Sequence, residues 1–500
     1  MSYQDSSRAL SVAVADKSVG CEVTCEYTLP DYEAEIRRLL RVNVSVMPPA
    51  SYVGGGNAAF SGFLRFDLLY ESPEGKLCMA KVTEDYEVST TVDFPSGVDP
   101  SDGTAAFCDL LPESLVSRVL SQRKVSIRCR LGGRAKVYGR LTPTERMTGE
   151  FSPEGIERLT GTASSAVFAT ASSEELELGE EITPSGLGEF SVIGSEGTVH
   201  LSEVGCVDGA VLCRGEALVQ LLLDGEEGVC SLPVRIPFSE RVEGDGIFSG
   251  MTCRAYGALP ELRAEKEEDH VRLTLSLRLV AEAQTNAEIP YTRDLYSTAR
   301  HTKVTTGKIT HPHAAVCRSG SFTQSLYEPL SRFPIPPEAK ILALSAAAHT
   351  ENLLCDRGKW ALVGDCRMNL LLLAEGEYKC VEIPIPFRYE FDGPCGESEG
   401  LFSELHMIGG RARIDGDKLA LDCEMGVSLR FCLRHEIELL QEAFFGEKTE
   451  QSDDYVVCFP RRGETLFEIG KRYHAPLGRL RAINRLDEKD TMGQYLVING

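Results

Sequence analysis

The chain has 500 residues, a formal net charge of −23, and a globular balance of 42% hydrophobic and 25% charged residues. That length exceeds what a single hydrophobic core usually serves, so we expect several domains. The strong negative charge argues against nucleic acid as the main partner, because phosphate binding requires a cationic surface.

The N-terminal residues lack a positively charged region followed by an apolar run, so we expect no secretory signal. The strongest apolar run, MNLLLLA at residues 368–374, is far too short to span a membrane. Seventeen cysteines are scattered without a Cys-x-x-Cys pair, which is typical of a reducing compartment. These features predict a cytoplasmic protein in which most cysteines fill apolar space.

Two segments in the chain share one pattern. Residues 215–238 read GEALVQLLLDGEEGVCSLPVRIPF, and residues 364–387 read GDCRMNLLLLAEGEYKCVEIPIPF. Each begins at Gly, alternates between apolar and other residues, turns, and ends in Ile-Pro-Phe at the same spacing. A more divergent copy begins at Gly62 and lacks the closing Ile-Pro-Phe. Because this alternation puts neighbouring side chains on opposite faces, it predicts antiparallel strands with one buried and one solvated face.

Each copy precedes a further strand with strong alternation. The apolar face holds Val125, Ile127, Cys129 and Leu131 after the first copy, the odd-numbered residues from Val271 to Leu279 after the second, and those from Leu419 to Phe431 after the third. We predict a mainly β fold with three related domains, each a β-sandwich or barrel-like. The predicted domains are residues 1–150, 151–305 and 306–447, followed by a small domain at residues 452–500.

The segments between these strands contain residues that interrupt sheets. Residues 141–189 are rich in Gly, Ser, Thr and Glu, and residues 303–338 contain several prolines. We expect both to be connections. Residues 445–454 (FGEKTEQSDD) are polar and predict a flexible tether that leaves the C-terminal domain free to turn.

The first domain carries a Leu-Pro-x-Tyr start, an Ile-x-x-Leu-Leu segment, a Gly-led strand and a Leu-Tyr strand end. The residues are Leu29, Pro30, Tyr32, Ile36, Leu39, Leu40, Gly62, Leu69 and Tyr70. The later copies add Ile-Pro-Phe at residues 236–238 and 385–387, and Asp-Leu-Tyr-Ser-Thr at residues 294–298. On these motifs, most of residues 20–445 resembles the SPOCS domain family. The matching residues are structural, so the resemblance implies repeated β-domains and no catalytic residue.

The chain from Tyr455 onward differs in charge, with eight Lys or Arg and five Asp or Glu, a net +3 against about −26 for the rest. YVVCF at its start predicts a strand, and Thr465 can cap a helix. One face of that helix holds Leu466, Ile469, Gly470 and Tyr473. Pro476 favours the start of a second helix, near whose end Asn484 suits a turn-holding side chain. QYLVI predicts a second strand.

A strand, two helices and a strand in this order resemble the LysM family. The matching residues are Tyr455, Val457, Gly463, Thr465, Leu466, Ile469, Tyr473, Leu480, Asn484, Gly493, Gln494, Leu496 and Ile498. Glu464, Phe467 and Met492 depart from the residues usual there. The resemblance implies a shallow groove for N-acetylglucosamine polymers, lined by Gly463, Glu464, Thr465, Leu466, Asp490, Thr491, Met492 and Gly493. The alternative is that these residues only shape the turns.

Little else in the sequence indicates chemistry. The densest group of metal-ligand types is His301, His311, His313 and Cys317, in a proline-rich stretch without a second cysteine pair, which we interpret as a surface loop. The acidic runs are typical of solvated faces, and the familiar nucleophile, zinc-protease and phosphate-loop motifs are missing. We therefore predict no catalytic residue, no metal and no cofactor, and a protein that is not an enzyme.

SPOCS-like repeats followed by one LysM resemble the spore-envelope assembly proteins of endospore-forming bacteria. The resemblance implies a cytoplasmic adaptor of the mother cell that docks at the forespore surface. Its expected partners are the morphogenetic ATPase of the coat basement layer or other coat proteins, with peptidoglycan as the alternative partner. Two alternatives stay open. One is a peptidoglycan-binding wall protein, which needs export, and the other is a β-sandwich hydrolase, which needs two convergent carboxylates.

Overall fold

The computed structural model describes residues 9–95, 97–98, 104–150, 155–173, 175–449, 455–486 and 493–499. Strands account for 76% of it, and its two α-helices are short, so the predicted mainly β fold is confirmed. The strands form three repeats of similar design, followed by a small C-terminal unit that contains both helices.

The first repeat contains two antiparallel sheets. Its strands are β1 (Leu10–Thr28), β2 (Arg38–Val46), β3 (Ala50–Gly54), β4 (Asn57–Glu71), β5 (Leu77–Thr91), β6 (Ala105–Ser121) and β7 (Lys124–Leu141). One sheet has the order β1-β7-β6. In the other, β4 is central and pairs with β5 along one edge and with β2 and β3 along the other.

The second repeat follows the same plan. After the short β8 (Arg146–Gly149), its strands are β9 (Ile156–Ser172), β10 (Leu176–Ile182), β11 (Phe190–Val207), β12 (Ala210–Gly225), β13 (Gly228–Glu243), β14 (Thr252–Glu267) and β15 (His270–Ser297). One sheet has the order β11-β12-β13. In the other, β15 pairs with β14 and with β9 and β10.

The third repeat joins its two halves into one sheet. Its strands are β16 (Arg300–Pro329), β17 (Lys340–Asp356), β18 (Lys359–Ala374), β19 (Glu377–Asp392), β20 (Ser398–Asp415) and β21 (Lys418–Lys448). Their order is β16-β21-β20-β17-β18-β19, and β8 pairs with β21 in parallel. A single 3₁₀ turn covers Leu330–Arg332.

The three segments with a shared sequence pattern occupy the same place in each repeat. Gly62, Gly215 and Gly364 lie in the central strands β4, β12 and β18, and each strand forms a hairpin with the next one. The predicted apolar faces of these strands are buried inside their own repeat.

The opposite face of the central strands is not solvated, so that part of the prediction is wrong. Leu69, Leu222 and Leu371, each seven residues after the shared Gly, are buried in one cluster that draws on all three repeats. Alternation along one strand indicates its own core, but it does not show that the other face meets a neighbouring repeat.

Both predicted connections contain strands. β8, β9 and β10 lie within residues 141–189, and β16 covers most of residues 303–338, so the predicted boundary between residues 305 and 306 falls inside β16. β16 tolerates Pro312 because it is an edge strand whose register shifts between Pro312 and Ala314. Of the predicted tether, residues 445–448 belong to β21 and residues 450–454 lie outside the described residues.

The C-terminal unit has the predicted order of elements. These are β22 (Tyr455–Cys458), α1 (Leu466–Tyr473), α2 (Leu477–Asn484) and β23 (Leu496–Asn499), and β22 pairs antiparallel with β23. The unit has a hydrophobic core of its own, formed by Cys458, Leu466, Ile469, Ala475, Leu480, Leu496 and Ile498. Within the described residues, neither helix has the length and apolar character needed to cross a membrane.

Candidate functional site

The C-terminal unit folds from local signals that its sequence contains. The hydroxyl of Thr465 accepts a hydrogen bond from the backbone N of Glu468 (3.2 Å), whose carboxylate accepts one from the backbone N of Thr465 (2.7 Å). This capping box starts α1. The Asn484 side chain exchanges two hydrogen bonds with the backbone of Val497, of 2.7 and 2.6 Å, and so ties α2 to β23. The predicted roles of Thr465 and Asn484 are confirmed.

The loop before α1 forms one side of the predicted groove. Gly463 has a φ of +81° and open space where a side chain would lie. The Glu464 carboxylate pairs with Arg472 at 3.0 Å. Leu466 is only 3% exposed because it belongs to the core of the unit. The loop therefore presents Gly463 and Thr465 to the surface, whereas the side chain of Glu464, held by Arg472, is only 12% exposed.

The other side of the predicted groove is described only in part. Gly493 is exposed just before β23, whereas Asp490, Thr491 and Met492 lie outside the described residues. The groove as a whole therefore stays a prediction.

The C-terminal unit is seated on the second repeat, at the end of β15. The Lys471 ammonium contacts both carboxylate oxygens of Asp294 at 2.6 Å. The Tyr296 hydroxyl donates a hydrogen bond of 2.7 Å to the carbonyl of Ala475. A seated unit is not free to turn, so the predicted flexible attachment is wrong.

Two further hydrogen bonds fix the orientation of the unit. His474 Nδ1 donates to the carbonyl of Ser297 at 2.9 Å. The backbone N of Leu477 donates to the Glu157 carboxylate at 3.1 Å. Since a helix N-terminus has unpaired N–H groups and a partial positive charge, the carboxylate also favours the start of α2 at this place.

An aromatic contact lies at the centre of the seat. Tyr296 is 1% exposed and meets Phe467 edge to face, with 5.2 Å between ring centres. Tyr296 also packs so closely on Gly470 that a Cβ there would overlap its hydroxyl. The Asp-Leu-Tyr-Ser-Thr segment noted in the sequence thus forms this seat in the second repeat.

Net charge favours the same placement. Residues 151–305 contain 26 Asp or Glu and 12 Lys or Arg, a net −14, whereas residues 455–500 carry +3. Opposite charges on the two surfaces attract across the seat, and salt screens this attraction. The basic end of an acidic chain is therefore matched to the second repeat.

A second candidate site is a cavity of about 1400 Å³ lined by strands from all three repeats. Three polar pairs face each other across strands in equivalent positions: Asn43 and Asp67, Glu196 and Gln220, Ser345 and Asn369. Arg41 of the first repeat donates hydrogen bonds to Glu196 of the second and to Ser345 of the third. One side chain thus joins the three repeats beside the cavity.

Buried charges also recur at equivalent positions. Lys136, Glu282 and Arg430 each lie twelve residues after the first residue of β7, β15 and β21, and all three are buried. Arg430 Nε donates to the Glu282 carboxylate at 2.7 Å. Lys136 pairs with Asp16 at 3.2 Å and with Glu399 at 3.1 Å. Each buried charge therefore has a partner of opposite sign.

Two carboxyl groups at the cavity have raised pKa values. Burial raises the pKa of Asp109 to about 6, against the opposing pull of Arg254. Burial likewise raises the pKa of Glu404 to about 7, with Asp109 adding to the rise and Arg254 opposing it. Both side chains line the cavity, but each is buried deeply enough that loss of hydration is the largest cause of its raised pKa.

We expect Glu404→Gln to stabilise the protein at pH 8, by about 3 kcal/mol from the size of the pKa rise. A raised pKa means that the folded state binds more protons than the unfolded chain, so this carboxyl costs stability as the pH rises from about 4.5 to about 7. The gain should therefore be small at pH 4.5 and complete by pH 8, measured by urea unfolding. The exposed Glu351→Gln serves as the control, and an equal effect of both variants would contradict the assignment.

The residues considered as metal ligands lie on β16 and not in a surface loop, so that interpretation is wrong. His301 meets His474 edge to face at 5.1 Å, while His311 and His313 lie 6.0 and 5.7 Å from His435 between ring centres. His311 is buried. Among the described residues, no group of three or more His, Cys, Asp or Glu side chains is placed to hold a metal ion.

One repeated sequence pattern indicates the cavity, although it is visible only when strands of different repeats are compared. Phe107, Asp109 and Leu110 recur with the same spacing as Phe402, Glu404 and Leu405, on the corresponding strands β6 and β20. An acidic residue within a repeated apolar pattern indicates a shared buried environment, because a solvated face does not require the flanking Phe and Leu.

Comparison with known proteins gave no relative. No protein-family model matches the chain, and neither a curated protein nor a solved structure resembles it. The likeness to SPOCS and LysM families therefore stays a prediction from the residues quoted above.

Proposed function

We propose that this chain is a non-enzymatic adaptor of endospore envelope assembly. In this proposal it works in the mother-cell cytoplasm at the forespore surface, where its three SPOCS-like repeats form the body and its LysM-like unit docks to the coat basement layer. The partner is the morphogenetic ATPase of that layer or another coat protein.

The observation that carries the proposal is the C-terminal unit itself. It has its own hydrophobic core, its own two-stranded sheet and a positive charge, and it is joined to an acidic body at a defined seat. Such a unit can present one surface to a partner while the body stays attached behind it. The resemblance of the repeats and of the unit to the two families supports the same reading.

The proposal is tested by capture from sporulating cells of an endospore-forming bacterium. The full chain should retain the coat ATPase, and the chain without residues 452–500 should not. Mass spectrometry identifies the retained proteins, and equal capture by both chains would show that the unit is not the dock.

A second function, binding of N-acetylglucosamine polymers, is favoured by the exposed loop at Gly463 and its open space. A titration of the N-acetylglucosamine hexamer into the full chain tests it. Asparagine at position 463 can adopt the positive φ, and its side chain would fill that space. Loss of hexamer binding in Gly463→Asn would therefore support glycan binding at this loop.

A further inference from the structure

The two-stranded sheet of the C-terminal unit has one apolar face that no part of the described chain covers. By the alternation of β22, Tyr455 and Val457 lie on this face, and Phe459 follows the end of the strand in the same alternation. The three are 70%, 53% and 71% exposed. Tyr495, next to β23, is 58% exposed. Cys458 and Leu496 point to the opposite face and form part of the core.

Exposed apolar side chains are concentrated here. Of the fourteen large apolar side chains that are exposed in the described residues, five belong to the C-terminal unit. Three are aromatic: Tyr455, Phe459 and Tyr495. A soluble protein rarely groups such side chains on one small surface unless the surface binds something.

The sheet also has free edges. Among the described residues, β22 pairs only with β23, so each strand has one edge without a partner strand. A lone two-stranded sheet is only marginally stable in water. A strand added at its edge forms backbone hydrogen bonds with that edge, and its alternate side chains lie beside the apolar side chains of the same face. The row Tyr455, Val457 and Phe459 has the spacing that such a strand matches.

The opposite side of the unit is already occupied. Phe467, Gly470 and Lys471 of α1 contact the second repeat, so α1 is not available to a partner while the unit is seated. The sheet face, the loop at Gly463 and the outer side of α2 (Gly478, Arg479, Arg481 and Ala482) stay exposed, and of these the sheet face is the one with large apolar side chains.

Charge indicates the kind of strand that fits. Arg461 and Arg462 are exposed two and three residues after Phe459, and the whole unit carries +3. An acidic segment is attracted to this surface, whereas a basic one is repelled.

We propose that the outer face of β22–β23 is the docking surface of the unit, and that its occupant is an acidic, extended segment of a partner protein that adds as a strand. This inference rests on the proposed function, since it names the surface and the chemistry of the partner. It assigns binding to Tyr455, Val457, Phe459 and Tyr495 instead of the loop at Gly463.

Synthetic ten-residue peptides serve as probes for the full chain. One alternates Val and Thr and carries Asp at both ends, the second carries Lys instead, and the third is the acidic peptide with two central prolines. Fluorescence anisotropy should show saturable binding of the acidic peptide that weakens with salt, and binding about tenfold weaker for the other two. Equal binding of the three peptides would overturn the proposal.

Variants locate the surface. Tyr455→Ser with Phe459→Ser should weaken acidic-peptide binding about tenfold, the loss typical of truncated interface anchors. Tyr327→Ser, at an exposed aromatic of the third repeat, is the matched control and should bind as the parent chain does. Unchanged binding by the double variant, or loss of binding by the control, would refute the assignment.

Sedimentation velocity tests the main competing occupant, a second copy of the chain. A dimer that the double variant abolishes would overturn the partner assignment. If the double variant still captures the coat ATPase but the chain without residues 452–500 does not, the proposed surface is wrong while the proposed function stands. If deletion changes nothing, the proposed function fails first.

Discussion

Arg430→Met is expected to lower the free energy of unfolding by about 3–5 kcal/mol, the cost of removing one partner of a buried ion pair. Arg430 is 2% exposed, and its guanidinium donates to Glu282 of the second repeat. Without it, Arg254, at 3.9 Å, is the one cation that the described part of the chain leaves paired with Glu282. The second and third repeats would lose their shared buried charge pair.

The surroundings of Arg430 add to this expected loss. The guanidinium lies 4.2 Å from the ring centre of Phe107 and 4.7 Å from that of Phe402, in the first and third repeats. Cation–π contacts of this kind strengthen when water is excluded. Methionine fills part of the volume but restores neither the charge nor the planar stacking.

Trp360, the only tryptophan, provides the measurement. It is buried 4.6 Å from Phe431, the neighbour of Arg430 in β21, so its fluorescence during urea unfolding follows the third repeat. Arg413→Met, on an exposed position of β20, is the control and should change the free energy by no more than about 0.5 kcal/mol. Adding Glu282→Leu to Arg430→Met should recover part of the loss, because it removes the unpaired carboxylate. A loss no larger than the control's would mean that the pair contributes nothing.

Much of each repeat could be predicted from its own strands. Alternation placed Leu221 in the core of the second repeat and Leu370 in that of the third, and both are buried. Such patterns are predictive because each strand buries one face inside its own repeat. The two helices of the C-terminal unit were also predictable, since the cap at Thr465 is a local signal.

Contacts between repeats could not be predicted from the alternation of single strands. Leu222 sits on the face that alternation predicts to be solvated, and Lys136, Glu282 and Arg430 are residue types that are usually exposed. Whether such a position is buried depends on how separate repeats meet, which a single strand does not encode. The seat of the C-terminal unit escapes prediction for the same reason, although its residues 294–298 form a recognisable motif.

Tyr296→Ala is expected to release the C-terminal unit from the second repeat, with a loss of about 3 kcal/mol in the free energy that holds it there. The substitution removes a buried ring that packs on Phe467 and a hydrogen bond to the carbonyl of Ala475. Because the unit keeps its own core, it should stay folded after release.

Hydrogen exchange distinguishes release from unfolding. The backbone N–H of Leu477 donates to Glu157 across the seat, so it should exchange faster once the unit is free. The backbone N–H of Ile469 bonds to Thr465 within α1 and should stay protected. Fast exchange at both positions would show that the unit had unfolded, which would contradict the expectation that it folds alone.

Gly470→Ala tests the same seat from the other side. In a free helix, Ala is more favourable than Gly by about 1 kcal/mol, so this substitution should stabilise α1 itself. At the seat, however, the added Cβ overlaps the hydroxyl of Tyr296. We therefore expect a unit with a more stable α1 and weaker attachment, a combination that a general loss of stability cannot produce.

Phe444→Ala is the matched control for Tyr296→Ala. Phe444 follows an equivalent register shift in β21, so it corresponds to Tyr296 in β15, but it is 52% exposed and no unit rests on it. Its removal should change Leu477 exchange little and the free energy of unfolding by no more than about 0.5 kcal/mol. If Phe444→Ala loosened the unit as much as Tyr296→Ala does, attachment would depend on the sheet as a whole. The seat at residues 294–298 would then not be what holds the basic end of the chain to its acidic body.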